Sequence, residues 1–105
     1  MTQNNAEIII VGAGASGLIA ALECARAGFG VIVLEKDILA GRKILVTGNG
    51  RCNFSNQKAG VATYFGDKDF LQAALDKFSP KDCVAFFEDL GMLAVCEEGR
   101  YFPVT

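Results

Sequence analysis

The chain contains no histidine. That absence excludes Ser-His-Asp triads, Cys-His nucleophile pairs and zinc sites built on imidazole. An enzyme of this composition works through a cofactor, a carboxylate, a lysine or a thiol. A basic excess is also lacking: 12 acidic and 10 basic residues leave a formal net charge of −2, and that balance points to neither nucleic acid nor an anionic membrane. There is no CxxC pair. Cys24, Cys52, Cys83 and Cys96 lie 28, 31 and 13 residues apart, which is neither a zinc pattern nor a secreted disulfide framework. Reduced thiols in the cytoplasm are therefore expected, with no metal site. The start, Met1 to Glu7, has no basic cluster, so a secretory leader is not expected. Ile8 to Leu22 is uncharged for 15 residues. That is short of the ~20 that span a bilayer, and three glycines interrupt it.

What is present is a chain of 105 residues, 51% apolar and 21% charged. This excludes a disordered segment and suggests one small domain. Glycine is over-represented, 12 of 105 residues, or about 11% where ~7% is usual. Glu7 to Val11 is an apolar, largely β-branched run, as expected of a strand buried on both faces. Residues 15–27 read as a helix with Leu18, Ile19, Leu22 and Ala25 on one stripe, ended by Gly28. Val31 to Leu34 is a second strand, closed by Glu35. Strand, helix and strand in this order predict an α/β, Rossmann-like βαβ unit with parallel strands.

Lys36 to Gly66 is a glycine-rich stretch in which only Arg42 to Val46 has the makings of a short helix; a loop this long in a compact domain is functional or disordered. Two helices are predicted next, Lys68–Phe78 and one opened by Ser79-Pro80-Lys81-Asp82, which has the form of a capping box. Gly91 ends the second. Phe70, Phe78, Phe86 and Phe87, with Cys24, Cys83 and Cys96, are expected in the core. Leu93–Cys96 and Arg100–Val104 read as a β-hairpin turning at Glu97-Glu98-Gly99.

The chemistry is concentrated at Gly12-Ala13-Gly14-Ala15-Ser16-Gly17, a GxGxxG that follows a strand and opens a helix, with Glu35 18 residues after its third glycine at the end of the next strand. That setting is the dinucleotide-binding fingerprint. Gly12 permits the turn, Gly14 the approach of a pyrophosphate, and Gly17 close packing of helix on strand. The helix N-terminus offers N–H groups and a positive dipole end to phosphate. Glu35 can accept from ribose hydroxyls and would repel a 2′-phosphate, which disfavours NADP here. NAD and FAD remain; the basic glycine loop that follows Glu35 favours the larger FAD.

The stretch Gly41-Arg42-Lys43-Ile44-Leu45-Val46-Thr47-Gly48-Asn49-Gly50-Arg51-Cys52-Asn53-Phe54-Ser55-Asn56, with Glu98-Gly99-Arg100-Tyr101-Phe102-Pro103-Val104 later, resembles a bacterial family. These are FAD-dependent, NAD(P)H-linked oxidoreductases, the aminoacetone-oxidase-like conserved flavoproteins, with a glutathione-reductase-like nucleotide-binding domain and a 3-dehydro-bile-acid reductase among them. The resemblance implies a GRK element, then a [ST]-G-x-G-R-C-N loop, met here by Thr47, Gly48, Gly50, Arg51, Cys52 and Asn53. It implies FAD as cofactor, NAD(P)H as co-substrate and a small-molecule substrate, with no nucleic acid or membrane partner. The implied cofactor contacts are Gly12, Ala13, Gly14, Ala15, Ser16, Gly17, Glu35 and Lys36. Arg42 and Lys43 are implied near the phosphates, and Gly48, Gly50, Arg51, Cys52 and Asn53 on the flavin side. Arg42 and Lys43 are suited to a dianion, and Asn53 can bond a flavin carbonyl or ribityl hydroxyl. Arg51 could stabilise a Cys52 thiolate, but no second cysteine is near to resolve a disulfide, so Cys52 is expected to pack or position rather than to act as a redox thiol. Family members are several times longer, so residues 1–105 are expected to be the N-terminal part of an FAD-binding domain, with the substrate domain and C-terminal remainder absent from this chain. An NAD-binding dehydrogenase domain and an inactive truncated module are the alternatives.

Overall fold

The computed structural model describes residues 5–104. Met1–Asn4, within the start of the chain where no secretory leader is expected, and Thr105 lie outside the described residues. Two compact units divide between Val46 and Thr47, and each is described by itself.

In the first unit, β1 (Ile8–Val11) and β2 (Val31–Leu34) pair in parallel, Ile8 opposite Val31 and Val11 opposite Leu34. Helix α1 (Ala15–Arg26) connects them, which is the predicted βαβ unit. Ala27 N–H and Gly28 N–H turn back on helix carbonyls and end α1. The expectation that β1 is buried on both faces is corrected. Side chains alternate across a strand: Ile8 and Ile10 are half-buried, and Ile10 reaches to within contact distance of where a Gly17 side chain would lie. Ile9 and Val11 point the other way and are 61% and 84% exposed, because α1 covers only one face of the pair. A 3₁₀ segment, Arg42–Gly50, follows, and its helical geometry is interrupted at Thr47, Gly48 and Asn49.

The second unit is built on a three-stranded antiparallel sheet in the order β3 (Ser55–Asn56), β5 (Arg100–Pro103), β4 (Ala94–Glu97). The β4–β5 hairpin is present, but Glu97 belongs to the strand. The turn is Glu98-Gly99 with φ of 52° and 80°, the double positive φ that matches strand twist in a two-residue hairpin. β3 was not anticipated; two residues carry no periodicity to read.

Helices α2 (Lys68–Lys77) and α3 (Pro80–Asp89) are capped as their residues dictate. Asp67 accepts from Phe70 N–H at 3.0 Å. Ser79 and Asp82 exchange hydrogen bonds at 3.0 and 3.1 Å, the expected capping box. Phe54, Phe78, Phe86 and Phe87 form a chain of edge-to-face ring contacts 5.2–6.1 Å between centroids, a geometry that adds ~0.5–1.5 kcal/mol per pair beyond burial. Phe86 and Phe87 are half-buried. Phe70 and Phe78, expected in the core, are 74% and 45% exposed, and Cys96 is exposed on the edge strand β4. A helical stripe shows which face a residue occupies; it does not supply the layer that would cover that face. All four cysteines are free thiols. Among the described residues no helix is long and apolar enough to cross a membrane.

Candidate functional site

The first unit concentrates its chemistry at the C-terminal end of its two strands. Gly12 takes φ of +99° and its N–H donates to Leu34 O at 2.7 Å, so the chain leaves β1 still anchored to β2. Gly14 is the N-cap of α1. It offers no side-chain cap, and the first helical turn holds no acidic residue. A Cβ built on Gly14 would have nothing within 4 Å; the space in front of this helix end is open. A Cβ on Gly17 would instead run into the Gly12 carbonyl oxygen. The two glycines thus differ: the space beside Gly14 is open, while the missing side chain of Gly17 lets helix and strand touch, as its spacing predicts.

Ala13, between them, is only 3% exposed. Its N–H donates to Glu35 Oε1 at 2.8 Å, and its carbonyl accepts from Gly41 N–H at 2.6 Å. The other Glu35 oxygen accepts from Asp37 N–H at 2.8 Å. These backbone donors, Ala13 first, hold the Glu35 carboxyl below the ordinary glutamate range, and Lys36 adds a smaller effect in the same direction. Glu35 is therefore ionised at neutral pH. Each of its oxygens keeps a further lone pair for a sugar hydroxyl.

Ala13, Gly14, Glu35, Lys36, Arg42 and Lys43 are among the residues that line a groove of about 500 Å³, a size suited to a small-molecule ligand. Arg42 is not idle there: its Nη1 lies 3.1 and 3.2 Å from the two Asp37 oxygens. An exposed pair of this kind contributes ~0–1 kcal/mol, weak enough for a phosphate to compete for the guanidinium. Ala15 and Ser16 lie in the first turn of α1 and are exposed beside the open N-terminus.

The second unit carries the rest of the expected site. Gly48, Asn49, Gly50 and Cys52 all have positive φ, and the loop is closed by Arg51 N–H to Gly48 O at 3.1 Å and Cys52 N–H to Thr47 O at 2.8 Å. The space beside Gly48 is occupied: a Cβ there would collide with the Asn53 backbone nitrogen. A half-buried cysteine in left-handed conformation is uncommon, and such strain collects at functional sites. The Arg51 side chain is engaged by the hairpin. Its Nη1 lies 2.6 Å from Glu97 Oε2, and its guanidinium carbon is 4.2 Å from the centre of the Phe102 ring. The pair holds Glu97 below and Arg51 above their ordinary pKa ranges, chiefly through that hydrogen bond. Gly48, Arg51, Glu97, Arg100 and Phe102 line a polar groove of about 480 Å³.

Asn53 faces elsewhere. It lines a separate cavity of about 330 Å³ with Phe54, Tyr64, Phe78 and Cys83. In the amide orientation that satisfies its neighbours, its nitrogen donates to Tyr101 O at 3.2 Å and Ser55 O at 3.0 Å. Those bonds tie Asn53 to its own sheet, a role the sequence reading did not give it. Sequence reasoning also missed Asp37, Glu97 and Phe102. Asp37 had no signal. The other two adjoin or lie within the Glu98–Val104 segment that carried the resemblance.

The description of one protein family, HI0933-like protein Rossmann domain, matches residues 6–105. The chain is 38% identical over 97 residues to the 3-dehydro-bile acid delta(4,6)-reductase of Clostridium scindens, covering 90% of this chain and 24% of that protein. It is 37% identical over 87 residues to the ribosomal RNA dihydrouridine synthase of Haemophilus influenzae, covering 82% of this chain and 22% of that protein. It is 38% identical over 90 residues to the phytoene desaturase of Neurospora crassa, covering 86% and 13%. The chain thus spans about a quarter or less of the length of these relatives.

Proposed function

The chain belongs to the HI0933-like Rossmann domain family, a Rossmann-type FAD-binding domain of flavin oxidoreductases, and from that premise we propose that its first unit receives the adenosine diphosphate half of FAD. The observation that carries this reading is the open space before Gly14 at an uncapped helix N-terminus, with the ionised Glu35 on the same groove. The Gly14–Gly17 end of α1 presents N–H groups to the diphosphate, Glu35 accepts from the ribose, and Lys36, Arg42 and Lys43 neutralise phosphate charge.

Bound flavin supplies hydride chemistry, and the protein's part is to bind and orient it. We assign the whole protein to hydride transfer from NAD(P)H to a small organic acceptor whose double bond is conjugated to a carbonyl, in the cytoplasm. Two relatives are named for a 3-dehydro-bile acid and for dihydrouridine of ribosomal RNA.

Equilibrium dialysis of the chain against FAD and, separately, NADH tests the reading. FAD should be retained in preference to NADH, and Gly14→Val should abolish retention. Preference for NADH would favour a nicotinamide domain. No retention of either, or a Gly14→Val chain that matches wild type, would overturn the assignment.

A further inference from the structure

Ala13 is held from both ends of its own peptide units by residues remote in sequence. Its N–H is bonded to Glu35, 22 positions on, and its carbonyl to Gly41. Ala13 and Gly41 are both buried. Neither bond belongs to the strand ladder or to α1, so neither is required to form the βαβ unit. Both act on the peptides that set the direction of Gly14 and of the helix end in front of it. A carboxylate beside a phosphate site is otherwise unfavourable, since like charges repel. Its placement is explained if the ionised group is part of what shapes the turn.

We propose that Glu35 is a positioning residue: with Gly41 it clamps Ala13, and this clamp holds the glycine turn in the form that receives a diphosphate. The role is additional to ribose recognition and rests on the reading that the turn holds the cofactor diphosphate. The clamp needs the carboxylate, because a protonated carboxyl loses one of the two acceptor positions now taken by Ala13 and Asp37. The charged groups around Glu35 are Lys36 and Asp37 on its own segment and Arg42 and Lys43 on the next; the first turn of α1 contributes no acid. The folded-state pKa is lowered. The clamp is therefore closed above the ordinary glutamate range and opens as pH falls through the lower folded value.

The test separates the clamp from the ribose contact by using a probe without ribose. Binding of inorganic pyrophosphate is compared for the wild-type chain and Glu35→Gln, and the exchange rate of the Ala13 amide is followed by NMR, with Ile32 in β2 as the folding control. Coulomb repulsion alone predicts that removing the Glu35 charge tightens pyrophosphate. The clamp predicts weaker binding, Ala13 exchange faster by about tenfold as one hydrogen bond is weakened, and an Ala13 amide shift that titrates in acid in the wild type alone. Unchanged Ala13 exchange with Ile32 intact, or equal or tighter pyrophosphate binding, overturns the proposal. A wild-type chain that ignores pyrophosphate counts against the diphosphate assignment and with it this use of the clamp, whatever Ala13 shows.

Discussion

Arg51 is bound to Glu97, 46 residues away in the sequence, 2.6 Å from Nη1 to Oε2, while its guanidinium lies over Phe102 at 4.2 Å. The arginine that leads the Arg51-Cys52-Asn53 loop is thereby tied to both strands of the hairpin. Because the hydrogen bond lowers the Glu97 pKa, its contribution is complete above the ordinary glutamate value and is lost as pH falls through the lower folded value. Thermal unfolding of Glu97→Gln should show lower stability than wild type at neutral pH and a smaller further loss in acid. Added salt should narrow the neutral-pH gap, since both side chains are about half exposed. Identical pH profiles for the two proteins would show that the pair is not used.

Gly14 and Gly17 are three residues apart and should fail differently. Gly17→Ala places a methyl group against the Gly12 carbonyl, so α1 must move off β1 at a cost of ~1–3 kcal/mol. Gly14→Ala meets nothing, and its φ of −85° suits any residue. It should unfold like wild type yet lose affinity for FAD and for pyrophosphate. Chemical denaturation beside a binding titration distinguishes the two, and a Gly17→Ala chain of full stability would contradict the packing described.

Gly48 offers a third contrast. A side chain there would strike the Asn53 backbone, against which the loop closes. Gly48→Ala should destabilise the second unit by ~1–3 kcal/mol. Gly50→Ala, with no atom within 4 Å, should cost less. Urea midpoints for the two variants give the comparison, and the reverse order would mean that the loop is held differently.

The α3 cap has a predictable acid sensitivity. Ser79 N–H and Oγ both bond to Asp82 Oδ2 and lower its pKa, the backbone bond foremost. The cap is intact above the ordinary aspartate range and is lost below it. Ser79→Ala should cost ~1 kcal/mol at neutral pH and remove part of the acid-induced loss of helix seen by circular dichroism. An unaltered acid limb would exclude the box as its source.

Much of this molecule could be read along one dimension. β1, α1 and β2 follow from apolar runs of strand and helix length, the turn from Gly12, Gly14 and Gly17, and α3 from Ser79-Pro80 and Asp82, because each signal lies within a few residues of the structure it specifies. Legibility fell where an outcome depends on distant partners. Arg42 and Arg51 were read as cations for a ligand; Asp37 and Glu97 claim them first. Asn53 was read as a flavin contact and its amide is directed to Tyr101 and Ser55 carbonyls. Ile9, Val11 and Phe70 satisfy their periodicity and are exposed all the same, since burial requires a second surface that no local pattern supplies.

The sequence by itself determined the βαβ unit, the glycine turn, the helix caps and the acid at the end of β2. All are set by backbone preference and short-range hydrogen bonding. Only the tertiary structure decided that Glu35 and Gly41 meet at Ala13, and that Arg51 lies between Glu97 and Phe102. Residues 22 to 51 positions apart come together there through sheet pairing and loop closure. The spacing of residues along the chain carries no record of which long-range hydrogen bonds the folded backbone will bring within 3 Å.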